Sequence, residues 1–188
     1  MTQDADKRQR RSIRLPGYDY AQAGAYFVTM VTRDRAGLFG EIVDGEMRPN
    51  QFGRIVVDEW ERSSKIRREL ETDAFVLMPN HIHGIVIHSG AVGATGRSPL
   101  QSGPRHRSLG AFVGGFKSAI TKRINESRET PGAPVWQRNY YEHVIRVEKE
   151  LKRIREYIAD NPLQWEMDRE NPLRNADGIT RKAESWEV

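Results

Sequence analysis

Two histidines separated by one residue stand in the stretch "MPNHIHGIVIH", residues 78 to 88. The β-branched run after a Pro-Asn pair predicts a strand that leaves a tight turn. Residues two apart on a strand project from the same face, so the imidazoles of His81 and His83 can converge on one ion. His88 is an odd number of positions away and points to the opposite face. A pair of hydrogen-bonded histidines on a half-exposed strand is the structural alternative, because the pattern is short and common.

A cation held by two imidazoles needs more ligands. A histidine-triad nucleotide hydrolase has a third histidine two residues later, where this chain has Ile85. A cupin-type site needs a glutamate several residues on, and zinc hydrolases usually add nearby carboxylates. The following residues, "GIVIHSG", supply neither. The remaining ligands must therefore come from a distant segment.

The segment "KELKRIREYIADNP", residues 149 to 162, offers such ligands. Tyr157 and Asn161 are four residues apart and share one face of the predicted helix, with Glu150 and Arg153 in the same row. A tyrosine with a pKa of about 10 is a weak nucleophile at neutral pH, so attack requires a cation or base nearby. A metal ion would also offset the charge of a phosphate under attack. The structural alternative is that Tyr157 packs on the flank of the apolar stripe of this amphipathic helix.

The composition restricts where this chemistry could occur. The chain has 188 residues and no cysteine, which excludes disulfides, thiolate metal sites and a cysteine nucleophile. No stretch approaches 18 apolar residues and the N-terminus has no apolar signal-peptide core, so we expect a cytoplasmic protein without a membrane span. The 30 Lys and Arg residues exceed the 26 Asp and Glu residues only slightly, but they are clustered. Such clusters either bind nucleic-acid phosphates or keep the protein soluble.

The hydrophobic pattern predicts the elements that position these residues. Strands are expected at 25 to 33, 73 to 78, 81 to 88 and 139 to 147, and a small hairpin turns at Asp44-Gly45. Helices are expected from 51 to 67 after Asn50, from Ser108 onward, and from 149 to 162, where Pro162 ends the last one. Residues 89 to 107 are rich in glycine and are interpreted as a mobile loop.

The order of these elements predicts an α+β fold of the ferredoxin-like split βαβ type. An antiparallel sheet carries helices on one face, and an extra C-terminal helix carries the tyrosine. The predicted organisation is a basic N-terminal extension (1–24), a single catalytic domain (25–162) and a C-terminal tail (163–188). The other face of the sheet, or a cleft beside the last helix, is left for a ligand.

Several stretches together resemble one protein family. "MPNHIHGIVI" is similar to the HUH motif (His, hydrophobic residue, His) of the small single-tyrosine transposases. "VWQRNYYEHVIRVEKELKRIREYIADNP" resembles the tyrosine-bearing segment of the REP-associated tyrosine transposases, and "RLPGYDYAQAGAYFVTMVTRDRAGLFG" and "GFKSAITKRIN" look like that family's first strand and middle helix. The resemblance covers residues 10 to 165, and its specificity lies in the order and separation of the motifs.

The resemblance implies a ferredoxin-like enzyme that holds Mg²⁺ or Mn²⁺ and cleaves single-stranded DNA near a hairpin, leaving a 5′-phosphotyrosine. It implies that His81 and His83 are metal ligands and that Tyr157 is the nucleophile. Asn161 stands where the third ligand is expected, although related insertion-sequence enzymes often have glutamine there. The shorter amide side chain is a departure from that pattern.

Further residues are predicted to contact DNA. His143 and Glu142 point to opposite faces of their strand, and we expect His143 to contact a phosphate or a metal-bound water while Glu142 is structural. Tyr140 and Tyr141 could stack on an unpaired base, a contact worth about 1 to 3 kcal/mol, or pack in the core. The cations on the middle helix could follow a DNA backbone or be solvated. The DNA-binding candidates are Arg10, Arg11, Arg14, Lys117, Lys122, Arg123, His143 and Arg153.

The sequence therefore predicts a metal-dependent transposase that acts on single-stranded or hairpin DNA, as a monomer or a homodimer. Two alternatives stay open. One is a catalytically silent DNA-binding protein that recognises repeat hairpins, and the other is a metal-dependent phosphodiesterase that transfers the phosphate to water.

Overall fold

The structure, a computed structural model, describes residues 18–67, 69–89 and 108–172. Of the predicted loop at 89 to 107 the structure describes residue 89, and of the basic N-terminal extension at 1 to 24 it describes residues 18 to 24; the rest of both segments lies outside the described residues. Within them, the strands and helices follow the predicted order: β1 Gly24–Val31, β2 Gly40–Val43, β3 Glu46–Pro49, α1 Gln51–Ile66, β4 Leu70–Leu77, β5 His81–His88, α2 Leu109–Ser127, β6 Tyr141–Ile145 and α3 Glu148–Asp160.

Four strands form one sheet in the described part of the chain, in the order β4-β5-β1-β6. Strand β1 pairs antiparallel with both β5 and β6, and β4 pairs antiparallel with β5. This is the split βαβ arrangement, in which β5 separates β1 from β4. The predicted α+β, ferredoxin-like fold is confirmed.

The main core lies between the sheet and the helices α1 and α2. Residues of even number in β1, β5 and β6, among them Val28 and Ile82, face this core together with Trp60 of α1 and Phe116 of α2. Trp60 packs so closely on Gly84 that an added Cβ would lie 2.3 Å from its ring. Position 84 therefore has to be a glycine, which lets the helix approach the strand.

Helix α3 covers the opposite face of the sheet. Its buried residues Ile154 and Ile158 pack on Phe27 and Ile85 in a second, smaller apolar cluster. Residues of odd number in β1, β5 and β6 face this side, because side chains alternate along a strand. In β4 the irregularity between Thr72 and Phe75 reverses the alternation, so Ala74 and Val76 face it. The histidine pair and the tyrosine-bearing helix consequently share one face of the sheet.

The two predicted helix caps and the predicted hairpin turn are present in the structure. The Asn50 side chain caps α1 by accepting from the backbone N–H groups of Phe52 at 2.8 Å and Gly53 at 3.0 Å. Ser108 caps α2 by accepting from Ala111 at 3.3 Å. The hairpin β2–β3 turns through Asp44 and Gly45, whose positive φ angles of 53° and 76° give the turn that matches strand twist.

The first part of the predicted C-terminal tail lies within the described residues. Helix α3 ends at Asp160, and a 3-10 helix follows at Pro162–Met167. Pro162 begins this helix, a position at which a proline loses no hydrogen bond. The chain then returns to the sheet, where Asp168, Glu170 and Asn171 are buried. None of the helices in the described residues is long and apolar enough to cross a membrane.

Candidate active site

The two histidines converge at the start of β5. His81 lies opposite Val31 and His83 lies opposite Thr29 of β1, so both imidazoles project from the α3 face of the sheet. Their Nε2 atoms are 3.0 Å apart. Both side chains are buried, with exposed fractions of 0% and 4%. The predicted convergence of the imidazoles is confirmed.

Asn80 holds the ring of His81. Its amide nitrogen donates to the carbonyl oxygens of Arg35 at 3.1 Å and Glu170 at 2.7 Å, which leaves Oδ1 as the atom facing His81. The Oδ1 atom lies 2.8 Å from His81 Nδ1, so Nδ1 carries the proton and donates to it. The lone pair of His81 therefore resides on Nε2, directed at the space between the rings.

Thr29 holds the ring of His83. Its hydroxyl lies 2.8 Å from His83 Nδ1, on the strand next to β5. A hydroxyl both donates and accepts, so this contact is compatible with either tautomer of His83. The Phe27 ring stacks on His83 with centroids 5.3 Å apart and fixes the plane of the imidazole.

Tyr157 of α3 reaches this histidine pair within the same chain. Its hydroxyl oxygen lies 3.3 Å from Nε2 of His83, and its ring packs edge-on against Phe27. The ring joins the apolar flank and the hydroxyl group points to the imidazoles, while the role of Tyr157 as a nucleophile stays a prediction. The helix is held at its N-terminal end by His143 of β6, whose Nε2 lies 2.7 Å from the carboxylate of Glu150.

Asn161 follows the last residue of α3 and is buried, with an exposed fraction of 2%. Its Oδ1 atom has no hydrogen-bond partner among the described residues. A buried amide oxygen without a partner costs about 1 to 3 kcal/mol, and such atoms commonly await an ion or water. The role of Asn161 as an oxygen ligand stays a prediction.

Asp168 is a candidate ligand that the sequence did not reveal. Its Oδ2 atom lies 3.9 Å from Nε2 of His81, and the ligand atoms of His81, His83 and Asp168 all lie within 4.8 Å of one another. The aspartate is buried and stands just after the 3-10 helix, in which Trp165 packs 6.0 Å from the His81 ring. No motif or period marked this position, because only the return of the chain to the sheet brings it there.

The donor set fits a divalent cation. The ligand atoms of His81, His83 and Asp168 are imidazole nitrogens and a carboxylate oxygen, a combination that binds divalent metal ions in proteins. The Nε2 separation of 3.0 Å is also a hydrogen-bond distance, so the structural alternative of two hydrogen-bonded histidines has the same geometry.

Burial keeps both imidazoles neutral. It lowers the pKa of His81 to about 3, to which the charge of Arg169 contributes while Glu170 opposes the change. Burial also lowers the pKa of His83 well below its usual value, and repulsion from a proton on His81 and the charge of Arg169 act in the same direction. Neutral imidazoles have lone pairs available for metal binding at physiological pH.

The predicted DNA-binding residues are divided between the two faces of the sheet. His143 lies on the site face, where it bonds Glu150 of α3, and Arg153 is exposed on the same helix. Glu142 is buried on the opposite face, opposite Val28, as expected for a structural residue. Arg10, Arg11 and Arg14 lie outside the described residues.

The three cations of α2 lie on the other side of the sheet from the histidines. Lys117 donates to the carbonyl oxygens of Gln137 and Asn139, both at 2.9 Å, and burial lowers its pKa to about 8. Arg123 bonds the carboxylates of Asp58 and Glu59 of α1. The exposed Lys122 lies near Glu126 of its own helix. The fold therefore does not bring these cations to the site, and their contact with DNA stays a prediction.

Comparisons with known proteins point to one family. An uncharacterised protein of Haemophilus influenzae is 38% identical over 172 residues, which cover 88% of this chain and 94% of that protein. A second protein of that organism, named "Putative REP-associated tyrosine transposase", is 24% identical over 157 residues, or 78% of this chain and 74% of that protein. No protein-family model matches the chain.

A solved structure of a REP-associated tyrosine transposase bound to a REP hairpin has a similar fold. The TM-score is 0.52 with 18% sequence identity, over 81% of this chain and 74% of the other. The predicted resemblance to the REP-associated tyrosine transposases is confirmed by this structure and by the name of the second relative.

Proposed function

We propose that this chain cleaves and rejoins single-stranded, hairpin-containing DNA. The chain belongs to one family with the Haemophilus influenzae protein that it matches over almost its full length. It also has the fold of a REP-associated tyrosine transposase. The observation that carries this proposal is the position of the Tyr157 hydroxyl, 3.3 Å from His83 Nε2 in a site where both histidines converge. A phenol placed there is a nucleophile beside a cation site, which a purely structural tyrosine does not require.

In the proposed reaction the Tyr157 oxygen attacks the phosphorus of one phosphodiester. The new bond joins that oxygen to phosphorus, and the bond from phosphorus to the 3′-oxygen breaks. The phenol gives up its proton to water, and the departing 3′-oxygen takes one up. The product is a 5′-phosphotyrosine and a free 3′-hydroxyl. Because the bond energy stays in the phosphotyrosine, a 3′-hydroxyl can reverse the step and rejoin strands without a nucleotide cofactor.

A divalent cation would be held by His81, His83 and the oxygens of Asp168 and Asn161. When bound, Mg²⁺ or Mn²⁺ supplies the positive charge that polarises the phosphate and favours the phenolate. The residues of the chain orient these groups: Asn80 and Thr29 hold the rings, and burial excludes water around them.

The DNA is proposed to be single-stranded where it is cut. A duplex hides its bases and its scissile phosphate from a partly buried phenol, whereas an unpaired strand next to a hairpin can enter the site. The neighbouring fold seen in complex with a REP hairpin supports a hairpin ligand. Residues His143, Arg153 and the cations of α2 remain the proposed DNA contacts, and Arg10, Arg11 and Arg14 would extend them. One chain brings both imidazoles and the phenol together, and the monomer and the homodimer both stay predictions.

The experiment that tests the proposal uses a labelled hairpin oligonucleotide with a single-stranded flank, Mn²⁺ and a denaturing gel. The wild-type protein is expected to give a covalent protein–DNA adduct, and Tyr157→Phe is expected to give none. Tyr18→Phe is the matched control, because Tyr18 packs with Tyr20 and Tyr26 away from the histidines. That variant should form the adduct at the wild-type rate.

The two alternative functions have distinct outcomes in the same gel. A metal-dependent phosphodiesterase would release cleaved DNA without an adduct, and Tyr157→Phe would retain that cleavage. A catalytically silent DNA-binding protein would shift the hairpin in a native gel and leave it intact under denaturing conditions. Either result would exclude the transferase.

A further inference from the structure

Arg169 is held at the rim of the site by its two neighbours in sequence. Asp168 lies beside His81, and Glu170 is fixed by Arg35, whose Nε donates to its carboxylate at 2.7 Å. The carbonyl oxygen of Glu170 also accepts from Asn80, the residue that holds His81. The backbone on both sides of Arg169 is thereby tied to the metal-binding strand, while its own side chain is 48% exposed.

The guanidinium group of Arg169 lies over an aromatic ring next to the histidines. Its central carbon is 5.6 Å from the centroid of Tyr141 on β6. Tyr141 lies opposite Thr29 across the β1–β6 pair, and Thr29 contacts His83. A cation at the face of an aromatic ring is favoured by the ring quadrupole and restricted in orientation.

We propose that Arg169 binds a backbone phosphate of the single-stranded DNA beside the Tyr157 hydroxyl, with its guanidinium group oriented by Tyr141. The ligand is a phosphodiester anion, for which a guanidinium group offers two parallel N–H donors. This inference rests on the proposed function, because it places the reacting strand at this site. It adds to the phenol and the imidazoles a residue that positions the strand.

The surroundings of Arg169 favour a phosphate over a purely intramolecular ion pair. The Glu170 carboxylate is the acidic partner on the same segment, at 3.4 Å from Arg169 Nε. That carboxylate has a closer contact with Arg35 at 2.7 Å, so the ion pair with Arg169 is the weaker of the two. A half-exposed ion pair of this kind contributes little stability, and a polyanion can compete for the guanidinium group.

The test is a coupling experiment between Arg169 and individual phosphates. Binding is measured by fluorescence anisotropy in the Tyr157→Phe background, so that no cleavage interferes. The probes are hairpin oligonucleotides in which one linkage of the single-stranded flank at a time is an uncharged methylphosphonate. Each probe is bound to the Tyr157→Phe protein, and to the same protein carrying Arg169→Gln, Arg169→Lys or Arg155→Gln. Arg155 is the matched control, because its side chain is similarly exposed and bonds Asp73 instead.

One linkage is expected to be sensitive. There, the methylphosphonate should weaken binding by the Arg169 protein about tenfold, the effect of one charge-assisted contact, and should not weaken binding by Arg169→Gln. Arg169→Gln should also reduce the slope of log affinity against log salt by about 1. Arg169→Lys keeps the charge and should retain part of the sensitivity to the methylphosphonate, and Arg155→Gln should retain all of that sensitivity.

The inference is overturned if, at every linkage, the methylphosphonate weakens binding by the same factor in the Arg169 protein and in Arg169→Gln. It is also overturned if the methylphosphonate weakens binding at no linkage. Its failure can be distinguished from failure of the proposed function, because the adduct assay uses proteins with Tyr157 intact. An adduct without coupling removes Arg169 from the site and leaves the transferase. Coupling without an adduct leaves Arg169 as a DNA contact and removes the covalent reaction.

Discussion

The buried histidine pair should make the metal-free protein sensitive to mild acid. In the unfolded chain both imidazoles take up protons with a pKa near 6.5, whereas in the fold the pKa of His81 is about 3 and that of His83 is well below its usual value. Below pH 6.5 the unfolded state therefore binds more protons than the native state. Linkage then requires that the free energy of unfolding falls as the pH falls through this range.

The size of the effect follows from these pKa values. Between pH 7 and pH 5 each histidine that stays neutral in the fold should remove about 2 kcal/mol from the free energy of unfolding, and the pair about 4 kcal/mol. A domain with a typical stability of about 5 to 15 kcal/mol would lose a large part of it. Most carboxylates titrate below pH 5, so this window isolates the imidazoles.

The assay is urea unfolding followed by tryptophan fluorescence at pH 7 and pH 5, in the presence of EDTA. The loss of stability between the two pH values is compared for the wild type and for a protein carrying both His81→Gln and His83→Gln. The wild-type loss should exceed that of the double variant by about 4 kcal/mol, and either single variant should recover about half of the difference. Comparing losses cancels the contribution of every other titrating group.

Equal losses in the two proteins would refute this reasoning. They would mean that the imidazoles are protonated in the fold, with Asp168 and Glu170 compensating their charge, and that the site is not a pair of neutral metal ligands.

Three further predictions concern the scaffold of the site. Gly84→Ala places a Cβ 2.3 Å from Trp60, so it should lower the free energy of unfolding by about 1 to 3 kcal/mol in a urea titration, and an unchanged midpoint would contradict the packing. Glu150→Gln weakens the 2.7 Å bond from His143 that holds α3, so in a time course of adduct formation the rate should fall while hairpin affinity is kept. Burial lowers the pKa of Lys117 to about 8, so this side chain is charged at pH 7 and largely neutral at pH 9. If Lys117 contacts DNA, Lys117→Met should weaken hairpin binding at pH 7 and leave it unchanged at pH 9, as binding titrations at the two pH values measure.

The sequence was sufficient for the parts of the fold that depend on local periodicity. Alternation along β5 is enough to put the two imidazoles on one face, and a period of 3.6 residues is enough to put Tyr157 on the flank of its helix. The caps at Asn50 and Ser108 are local hydrogen bonds and were predicted for that reason. The order of strands and helices then restricted the fold to few topologies.

The charged residues show where such reasoning stops. The basic residues of α2 were grouped with the DNA contacts on the basis of clustering along the chain. In the structure, Arg123 instead donates hydrogen bonds to the carboxylates of Asp58 and Glu59 of α1, and Lys117 donates to two backbone carbonyl oxygens. A charge can be assigned to solvent, to a partner or to an ion pair only when the residues around it in space are known.

The sequence by itself determined the imidazole pair, the phenol and the elements that carry them, since each depends on the spacing of residues along one strand or one helix. Only the tertiary structure decided which other groups complete the site. Asn80, Thr29 and Asp168 lie beside the imidazoles, and Arg169 lies over Tyr141, because β1, the turn before β5 and the segment after α3 meet at one point of the sheet. Contacts between distant segments depend on the packing of the whole chain, and such packing produces no periodic pattern in the sequence.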